Sequence, residues 1–146
     1  MSSGQVLLRE VRDTDLPILY EQQADPVAWK LADFPPRERD AFMEHWVAKR
    51  VDPTVWVRVI EVDGQVVGNV QSFMRDGVRE VGYWLGRDYW GRGYASSALE
   101  QFLPLVPIRP MFAHLSKANI GSRRVLEKSA FVVIEDDDKD LWMKLE

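Results

Sequence analysis

Two glycines, Gly91 and Gly93, lie between a short apolar run and a segment with the apolar spacing of a helix. The apolar run, 81–85, has the composition of a buried strand, and the helical spacing begins at about Tyr94. A glycine turn that leads into a helix directs free backbone N–H groups and the positive end of the helix dipole at one point. Such a point suits a phosphate group, although two glycines alone also fit an ordinary tight turn.

Two familiar phosphate-binding motifs do not fit these residues. A dinucleotide-binding motif requires a third glycine where this chain has Ser96, and an acidic residue about 20 positions later, where 111–115 contains none. Gly86 and Gly91 are separated by four residues, as are the two glycines of a P-loop. Arg92 and Gly93, however, stand where that motif requires Lys followed by Ser or Thr. The remaining interpretation is a diphosphate site that uses no metal ion.

The segment from Trp90 to Ala95, W-G-R-G-Y-A, matches the signature Q/R-x-x-G-x-G/A, with Trp90 in place of the first polar residue. In this it resembles the GNAT superfamily of acyl-CoA-dependent N-acetyltransferases. Residues 83–86 and 89–95 look like the ribosomal-protein N-terminal acetyltransferase (Rim-type) branch, in which that aromatic replacement is usual. A second block resembles N-x-x-S-R-x-V-L-E-K-x-G-F of the same branch, with Ala130 replacing the glycine: Asn119, Ser122, Arg123, Val125, Leu126, Glu127, Lys128 and Phe131.

The resemblance implies acetyl-CoA as cosubstrate and no metal ion. The diphosphate is expected on the backbone amides of residues 91–95, and pantetheine along the edge of the strand before the turn. The residues predicted to bind the cofactor are Trp84, Leu85, Arg87, Trp90, Gly91, Arg92, Gly93, Tyr94, Ala95, Asn119, Ser122 and Arg123.

Catalytic roles also follow from the resemblance. It assigns Ser122 as hydrogen-bond donor to the leaving thiolate, and Glu80 as general base. Glu80 stands four residues before Trp84, roughly 13 Å along a strand, so a water relay is expected between amine and carboxylate. Two alternatives stay open: Ser122 as a simple N-cap of its helix, and Glu80 as a cross-strand ion partner of Arg79 or Arg58.

The elements that must position these residues follow from periodicity and breakers. Strands are predicted at 5–11, 54–62, 65–74, 79–85, 111–115, 131–135 and 141–145. Helices are predicted from Asp13 or Thr14 to Pro26, from Pro35 or Pro36 to Pro53, from Tyr94 to Pro104, and from Ser122 to Ser129.

This order of elements predicts an α/β (α+β) fold with a mixed, mostly antiparallel sheet. A helical crossover joins 81–85 to 111–115, so these two strands are expected to run parallel. The resemblance adds that helices cover both faces of the sheet, and that the two parallel central strands splay apart.

Length and composition set the remaining expectations. The 146 residues, 46% hydrophobic and 29% charged, fit one domain over 1–146. No run approaches the roughly 18 apolar residues of a membrane span, and no signal pattern opens the chain, so a cytoplasmic location is expected. The absence of cysteine favours direct transfer over a cysteine acyl-enzyme. The net charge of −4 argues against a nucleic-acid partner.

The acceptor is expected to be a primary amine, either a peptide or protein α-amine or a small molecule. An acyl-CoA-binding sensor or docking module without turnover is the alternative, and both a monomer and a homodimer stay open. His45 and His114 are isolated, without metal-ligand spacing, and are interpreted as structural.

Overall fold

The computed structural model describes residues 5–146. Within this range the strands are β1 Val6–Arg9, β2 Trp56–Val62, β3 Gln65–Arg75, β4 Val78–Leu85, β5 Met111–Ser116, β6 Val132–Asp136 and β7 Asp140–Leu145. The α-helices are α1 Leu16–Ala24, α2 Pro26–Ala32, α3 Arg39–Val51, α4 Tyr94–Phe102 and α5 Ile120–Lys128. Short 3-10 turns lie at Asp13–Asp15, Arg87–Tyr89 and Leu103–Leu105.

The strands form one mixed sheet in the order β1-β2-β3-β4-β5-β7-β6. Every neighbouring pair is antiparallel except β4 and β5, which run parallel because α4 carries the chain across between them. The predicted hairpins 54–74 and 131–145 are present, the first closed by Asp63 and Gly64. The mixed, mostly antiparallel fold is therefore confirmed.

The sheet opens between its two parallel strands. Glu80 and Phe112 are the one pair of ladder partners between β4 and β5 in residues 5–146. On its other side, β4 pairs with β3 along its whole length, from Val78 to Leu85. Beyond Glu80 the β5-facing edge of β4 therefore leaves the ladder, and the predicted splaying is confirmed.

Helices cover both faces, as strand alternation requires. On one face, Val70 and Val81 of the sheet pack with Leu99 of α4 and Leu126 of α5. On the other, Val59 packs with residues of the N-terminal helices: Leu16, Leu19, Phe42 and Trp46. Because the opening between β4 and β5 runs through this sheet, it connects the α4–α5 face with the face covered by α1–α3.

The N-terminal helices differ from the prediction. Pro26 begins α2 instead of ending the first helix, because Asp25 caps that helix: its Oδ1 accepts from the N–H of Val27 at 3.0 Å. The next helix begins at Arg39, not at Pro35 or Pro36. A residue before proline avoids helical geometry, which keeps Pro35, ahead of Pro36, outside the helix.

The first helix also starts differently from the prediction. Asp13 and Thr14 lie inside a 3-10 turn, so neither caps α1. Asp15 is the N-cap residue of α1, but its side chain accepts no bond from that helix; its Oδ2 accepts instead from the backbone N–H of Arg12 at 2.7 Å, before the turn. The same carboxylate binds Arg9 of β1, which ties the turn to the edge of the sheet.

Candidate active site

The N-terminus of α4 offers backbone donors to a ligand. Gly91 (φ 76°) and Gly93 (φ 80°) both take left-handed conformations that favour glycine. The first intrahelical bond runs from Ser97 N–H to the Gly93 carbonyl at 3.1 Å, so the N–H groups of residues 94–96 have no acceptor within the helix. Within residues 5–146 no side chain caps this end.

The loop before α4 is fixed by its own hydrogen bonds. Trp90 Nε1 donates to the Leu85 carbonyl at 3.1 Å, and the Tyr89 N–H donates to the Gly86 carbonyl at 3.0 Å. A methyl group added at Gly91 or Gly93 would meet no atom within 4 Å. Both glycines therefore border open space beside the end of β4.

Trp84 forms a wall at the same end of β4. Its indole N–H donates to the Gln22 carbonyl of α1 at 3.0 Å, and its ring lies 6.0 Å from that of Phe34. Phe34 follows directly on α2, whose C-cap Asp33 is left-handed (φ 53°). The α2 helix, which the sequence prediction missed, thus delivers an aromatic side chain to the site.

Ser122 faces Tyr83 across the opening. Their hydroxyl oxygens lie 2.6 Å apart, and Tyr83 also donates to the Ser122 carbonyl at 3.0 Å. The cap of α5 is Asn119, whose Oδ1 accepts from the Ser122 N–H at 3.2 Å, so the alternative of Ser122 as the N-cap is wrong. The Ser122 hydroxyl is free of helix capping and belongs to a hydroxyl pair.

Tyr83 is a functional candidate that the sequence prediction did not assign. Burial is the main cause that raises the pKa of Tyr83 far above its ordinary value, and the bond with Ser122 opposes this. The phenol therefore stays protonated at neutral pH and remains a donor. Strand alternation was the available signal, since Tyr83 must face the opposite side of β4 from Trp84.

Glu80 is buried and already engaged. It is 2% exposed, and its two carboxylate oxygens accept from Nε and Nη2 of Arg75, each at 2.8 Å. The ion partner is Arg75, not the predicted Arg79 or Arg58; Arg79 donates to the Thr54 carbonyl instead. Arg75 ends β3, and the turn at 76–77 folds it back over β4.

These residues surround one cleft of about 1220 Å³ that follows the opening between β4 and β5. Phe34 and Trp46 line its α2–α3 side. The predicted site residues that line it are Glu80, Trp84, Leu85, Trp90, Gly91, Gly93, Tyr94, Ala95, Asn119 and Ser122.

Three predicted cofactor ligands lie outside the lining of the cleft: Arg87, Arg92 and Arg123. Arg87 pairs with Asp25 at 3.0 Å, and Arg123 pairs with Glu127 one turn along α5 at 3.3 Å. Arg124 lines the cleft in place of Arg123. Consecutive side chains on a helix point about 100° apart, so Arg124 can face the cleft while Arg123 faces away from it.

Neither a metal cluster nor a membrane span is found in the described part of the chain. Residues 5–146 contain no group of three or more His, Cys, Asp or Glu side chains placed to hold a metal ion. Over the same residues, no helix has the length and apolar character needed to cross a bilayer.

Comparison with known proteins gives one family match and several structural ones. Residues 5–132 match the family model described as an acetyltransferase (GNAT) domain. No curated protein sequence matches significantly.

The structural matches span nearly whole chains at low identity. An acetyltransferase from Thermus thermophilus superposes with a TM-score of 0.81 at 18% identity, covering 99% of both chains. Spermidine N-acetyltransferase from Vibrio cholerae, in complex with CoA and spermine, gives 0.83 at 15%, covering 97% of this chain and 95% of that one. The ribosomal L7/L12 α-N-protein acetyltransferase RimL with CoA gives 0.77 at 15%, covering 96% and 93%. At such identities the likeness establishes the fold.

Proposed function

The chain belongs to the GNAT acetyltransferase domain family, and from that premise we propose that it transfers an acetyl group from acetyl-CoA directly to a primary amine. The observation that carries the proposal is the uncapped N-terminus of α4 beside the opening between β4 and β5. This place offers amide donors to a diphosphate and an unpaired strand edge to the amides of pantetheine.

Residues of the cleft suit this cofactor without a metal ion. In the proposal, the diphosphate lies on the amides of Gly93 to Ser96, and pantetheine lies along β4 from Trp84 to Leu85. Hydrogen bonds to a charged group contribute about 1.5–3 kcal/mol each, so a few amides suffice to hold it. Of Arg123 and Arg124, both of which the sequence offers for the nucleotide end, Arg124 is the one proposed, because it lines the cleft.

The transfer forms a bond from the amine nitrogen to the acetyl carbon and breaks the bond from that carbon to sulfur. The nitrogen loses a proton and the sulfur gains one. Ser122 donates a hydrogen bond to the departing sulfur, and the single phenol proton of Tyr83 turns from the Ser122 carbonyl to the Ser122 hydroxyl oxygen, 2.6 Å away. An α-amine, with a reference pKa near 7.7–8.0, is partly neutral at pH 7 and requires little help from a base.

Glu80 keeps its proposed role as a base through a water chain. Its bonds to Arg75 compete with any proton path, which favours an acceptor that arrives largely neutral. A protein or peptide α-amine, as in the RimL neighbour, and a small-molecule amine, as in the spermidine enzyme, are the two acceptor classes to compare. The Rim-type branch, the cytoplasmic location, the single domain and the oligomeric state remain predictions.

The decisive experiment is a screen of amines with acetyl-CoA that measures released thiol. Because the chain has no cysteine, all free thiol comes from the donor. Thiol release that depends on an added amine supports the transferase. A rise in melting temperature with CoA but no thiol release with any amine would instead support the sensor alternative. If CoA does not raise the melting temperature and no amine releases thiol from acetyl-CoA, the proposal is wrong.

Gly93→Leu tests the diphosphate position directly. The leucine side chain would fill the space in front of the α4 amides, and we expect CoA affinity to fall by at least about tenfold. Gly77→Leu is the matched control, because Gly77 has the same left-handed conformation (φ 81°) and equally open space in the β3–β4 turn. Both variants carry a similar backbone strain, but Gly77→Leu should keep its CoA affinity. Equal affinity in the two variants would contradict the placement.

A further inference from the structure

The α2–α3 side of the cleft carries three basic side chains, Arg37, His45 and Lys49, referred to below as the basic wall. His45 and Lys49 stand four residues apart on α3, so they lie on the same face of the helix. Lys49 Nζ lies 4.2 Å from the ring centroid of the buried Trp46. Lys49 thus packs against an aromatic residue of the core, and this contact restricts the movement of its side chain.

Within residues 5–146, no carboxylate lies within salt-bridge distance of the basic wall. Burial and the nearby charges of Lys49 and Arg37 lower the pKa of His45 to about 4. Burial, with the charge of Arg37, lowers the pKa of Lys49 to about 8. These causes contain like charges and no opposite ones, an arrangement that is unfavourable until an anion joins it.

The carboxylates on this side of the cleft are engaged elsewhere or form no ion pair with the basic wall in the described part of the chain. Asp52 accepts from the N–H and hydroxyl of Thr54 at 2.9 and 2.7 Å, and Glu80 is bound by Arg75. Asp33, at the C-cap of α2, also lines the cleft, and within the described residues it forms no ion pair with Arg37 or Lys49.

The end of α3 that carries Lys49 lies away from the free amides of α4. That helix ends at Val51, shortly before β2, and the first residue of β2, Trp56, pairs with Ser72 of β3. Ser72 in turn pairs with Val81, near the start of β4. The α4 amides follow the far end of β4, so the position proposed for the CoA diphosphate lies away from Lys49.

We propose that the basic wall binds an oxyanion group of the acceptor, so that the preferred amine also carries a carboxylate or a phosphate. This inference rests on the transferase function proposed above. Arg37 supplies a planar pair of N–H donors, Lys49 a cation, and neutral His45 an N–H donor. When the basic wall binds the anionic group of the acceptor, the amine at the acceptor's other end reaches toward the acetyl group near Trp84. A polyamine lacks the anion and meets like charge.

Matched acceptors test the inference before the natural substrate is identified. Each ω-amino acid, in a series of increasing chain length, is compared with its ω-amino amide, with the α,ω-diamine and with the ω-aminoalkylphosphonate. The measurement is kcat/KM from thiol release with acetyl-CoA. We expect the best anionic amine to exceed its amide by at least about tenfold, and the diamine to be poorest. The phosphonate arm separates a preference for carboxylate from one for phosphate.

Variants connect this preference to the basic wall. Arg37→Gln and Lys49→Met should each lower the ratio of kcat/KM for the anionic amine to that for its amide by about tenfold. Lys30→Gln removes the same charge from the surface of α2, outside the cleft, and should keep the ratio of the parent protein.

Failure of this inference is distinguishable from failure of the transferase function. If amines are acetylated but the amide and the anion are equivalent, the basic wall has no such role and the transferase stands. If Lys30→Gln lowers the ratio as much as Arg37→Gln, overall charge explains the preference and the inference is wrong. If no amine releases thiol, the function fails and the inference with it.

Discussion

The hydroxyl oxygens of Ser122 and Tyr83 lie 2.6 Å apart, within hydrogen-bond distance. A serine hydroxyl is a weak acid, so alone it offers a thiolate little more than a hydrogen bond. A protonated phenol behind it can donate to the serine oxygen as the serine proton turns toward sulfur. The pairing links β4 to the first turn of α5, on the two sides of the opening through which the thioester is proposed to pass.

Removal of either hydroxyl should slow turnover more than it weakens binding. We expect Ser122→Ala to lower kcat by about 10- to 100-fold with little change in KM for acetyl-CoA, because the donor acts on sulfur only as the bond breaks. Tyr83→Phe should lower kcat in the same direction by a smaller factor. Steady-state kinetics with the best amine from the panel provides the measurement.

Ser129→Ala is the control, since Ser129 ends the same helix outside the cleft and should behave like the parent protein. Equal kcat in Ser122→Ala and Ser129→Ala would remove the role assigned to Ser122. A lower melting temperature together with a higher KM for acetyl-CoA would point to a structural effect instead.

The sequence identified residue types at this site better than side-chain partners. Turn glycines are fixed by backbone geometry, so Gly91 and Gly93 were predictable from their spacing. The partner of Glu80 depends on a long guanidinium that crosses a turn, and no local pattern distinguishes Arg75 from Arg79. The direction of Arg123 depends in the same way on helix phase, which only the start of α5 at Ile120 determines.

At the scale of elements, the end of α5 explains the replacement of glycine by Ala130. The Ala130 N–H donates to the Glu127 carbonyl at 3.0 Å, and the Phe131 N–H donates to the Leu126 carbonyl at 3.1 Å. This is the Schellman arrangement, with buried Phe131 against buried Leu126 and a left-handed residue between helix and strand. Ala130 occupies that left-handed position at φ 73°.

Ala130→Gly should therefore stabilise the fold. A side chain in this conformation costs roughly 1–2 kcal/mol, and the greater freedom of glycine in the unfolded chain offsets part of the gain. We expect a net increase of about 0.5–1 kcal/mol in the free energy of unfolding, measured by urea denaturation. Ala118→Gly, in the exposed turn before α5, is the comparison without a left-handed residue to relieve. A less stable Ala130→Gly variant would contradict the strain.

Prolines explain two of the errors in the predicted helices. Proline ends a helix in one context and begins one in another, and the residue before it decides between the two. Asp25 before Pro26 is a capping residue and starts α2, whereas Pro35 before Pro36 stays outside the helix. The strands were easier to predict, because alternation and the turn residues Asp63 and Gly64 act locally.

At the scale of the whole molecule, one ionic cluster holds the N-terminal edge to the sheet. Arg9 of β1 donates from Nη1 and Nη2 to Asp15 at 2.8 and 2.9 Å, and from Nε to Glu61 of β2 at 2.7 Å. The hydrogen bond from Arg9 is the main cause that lowers the pKa of Asp15 below its ordinary value of 3.8. The folded state therefore favours the charged form of this carboxylate.

This cluster predicts a pH dependence of stability. Because the pKa of Asp15 is lower in the folded chain, its contribution is complete above the unfolded value near 3.9 and declines as the pH falls through the folded value. Asp15→Asn should be less stable by about 2–3 kcal/mol at pH 7, and this difference should shrink below about pH 4. Urea denaturation of both proteins between pH 7 and pH 2 measures it. A difference that stays constant with pH would contradict the linkage.

The break in the ladder after Glu80 and Phe112 has a mechanical consequence. Backbone hydrogen bonds join β1 to β4 in one part of the sheet and β5 to β7 in the other. The opening between β4 and β5 separates these two parts. In the proposed complex, the amides of an acyl-CoA bound at this opening take the place of the missing hydrogen bonds between β4 and β5. The ligand then connects the two parts of the sheet as well as supplying the acetyl group, and we expect its release to loosen that connection.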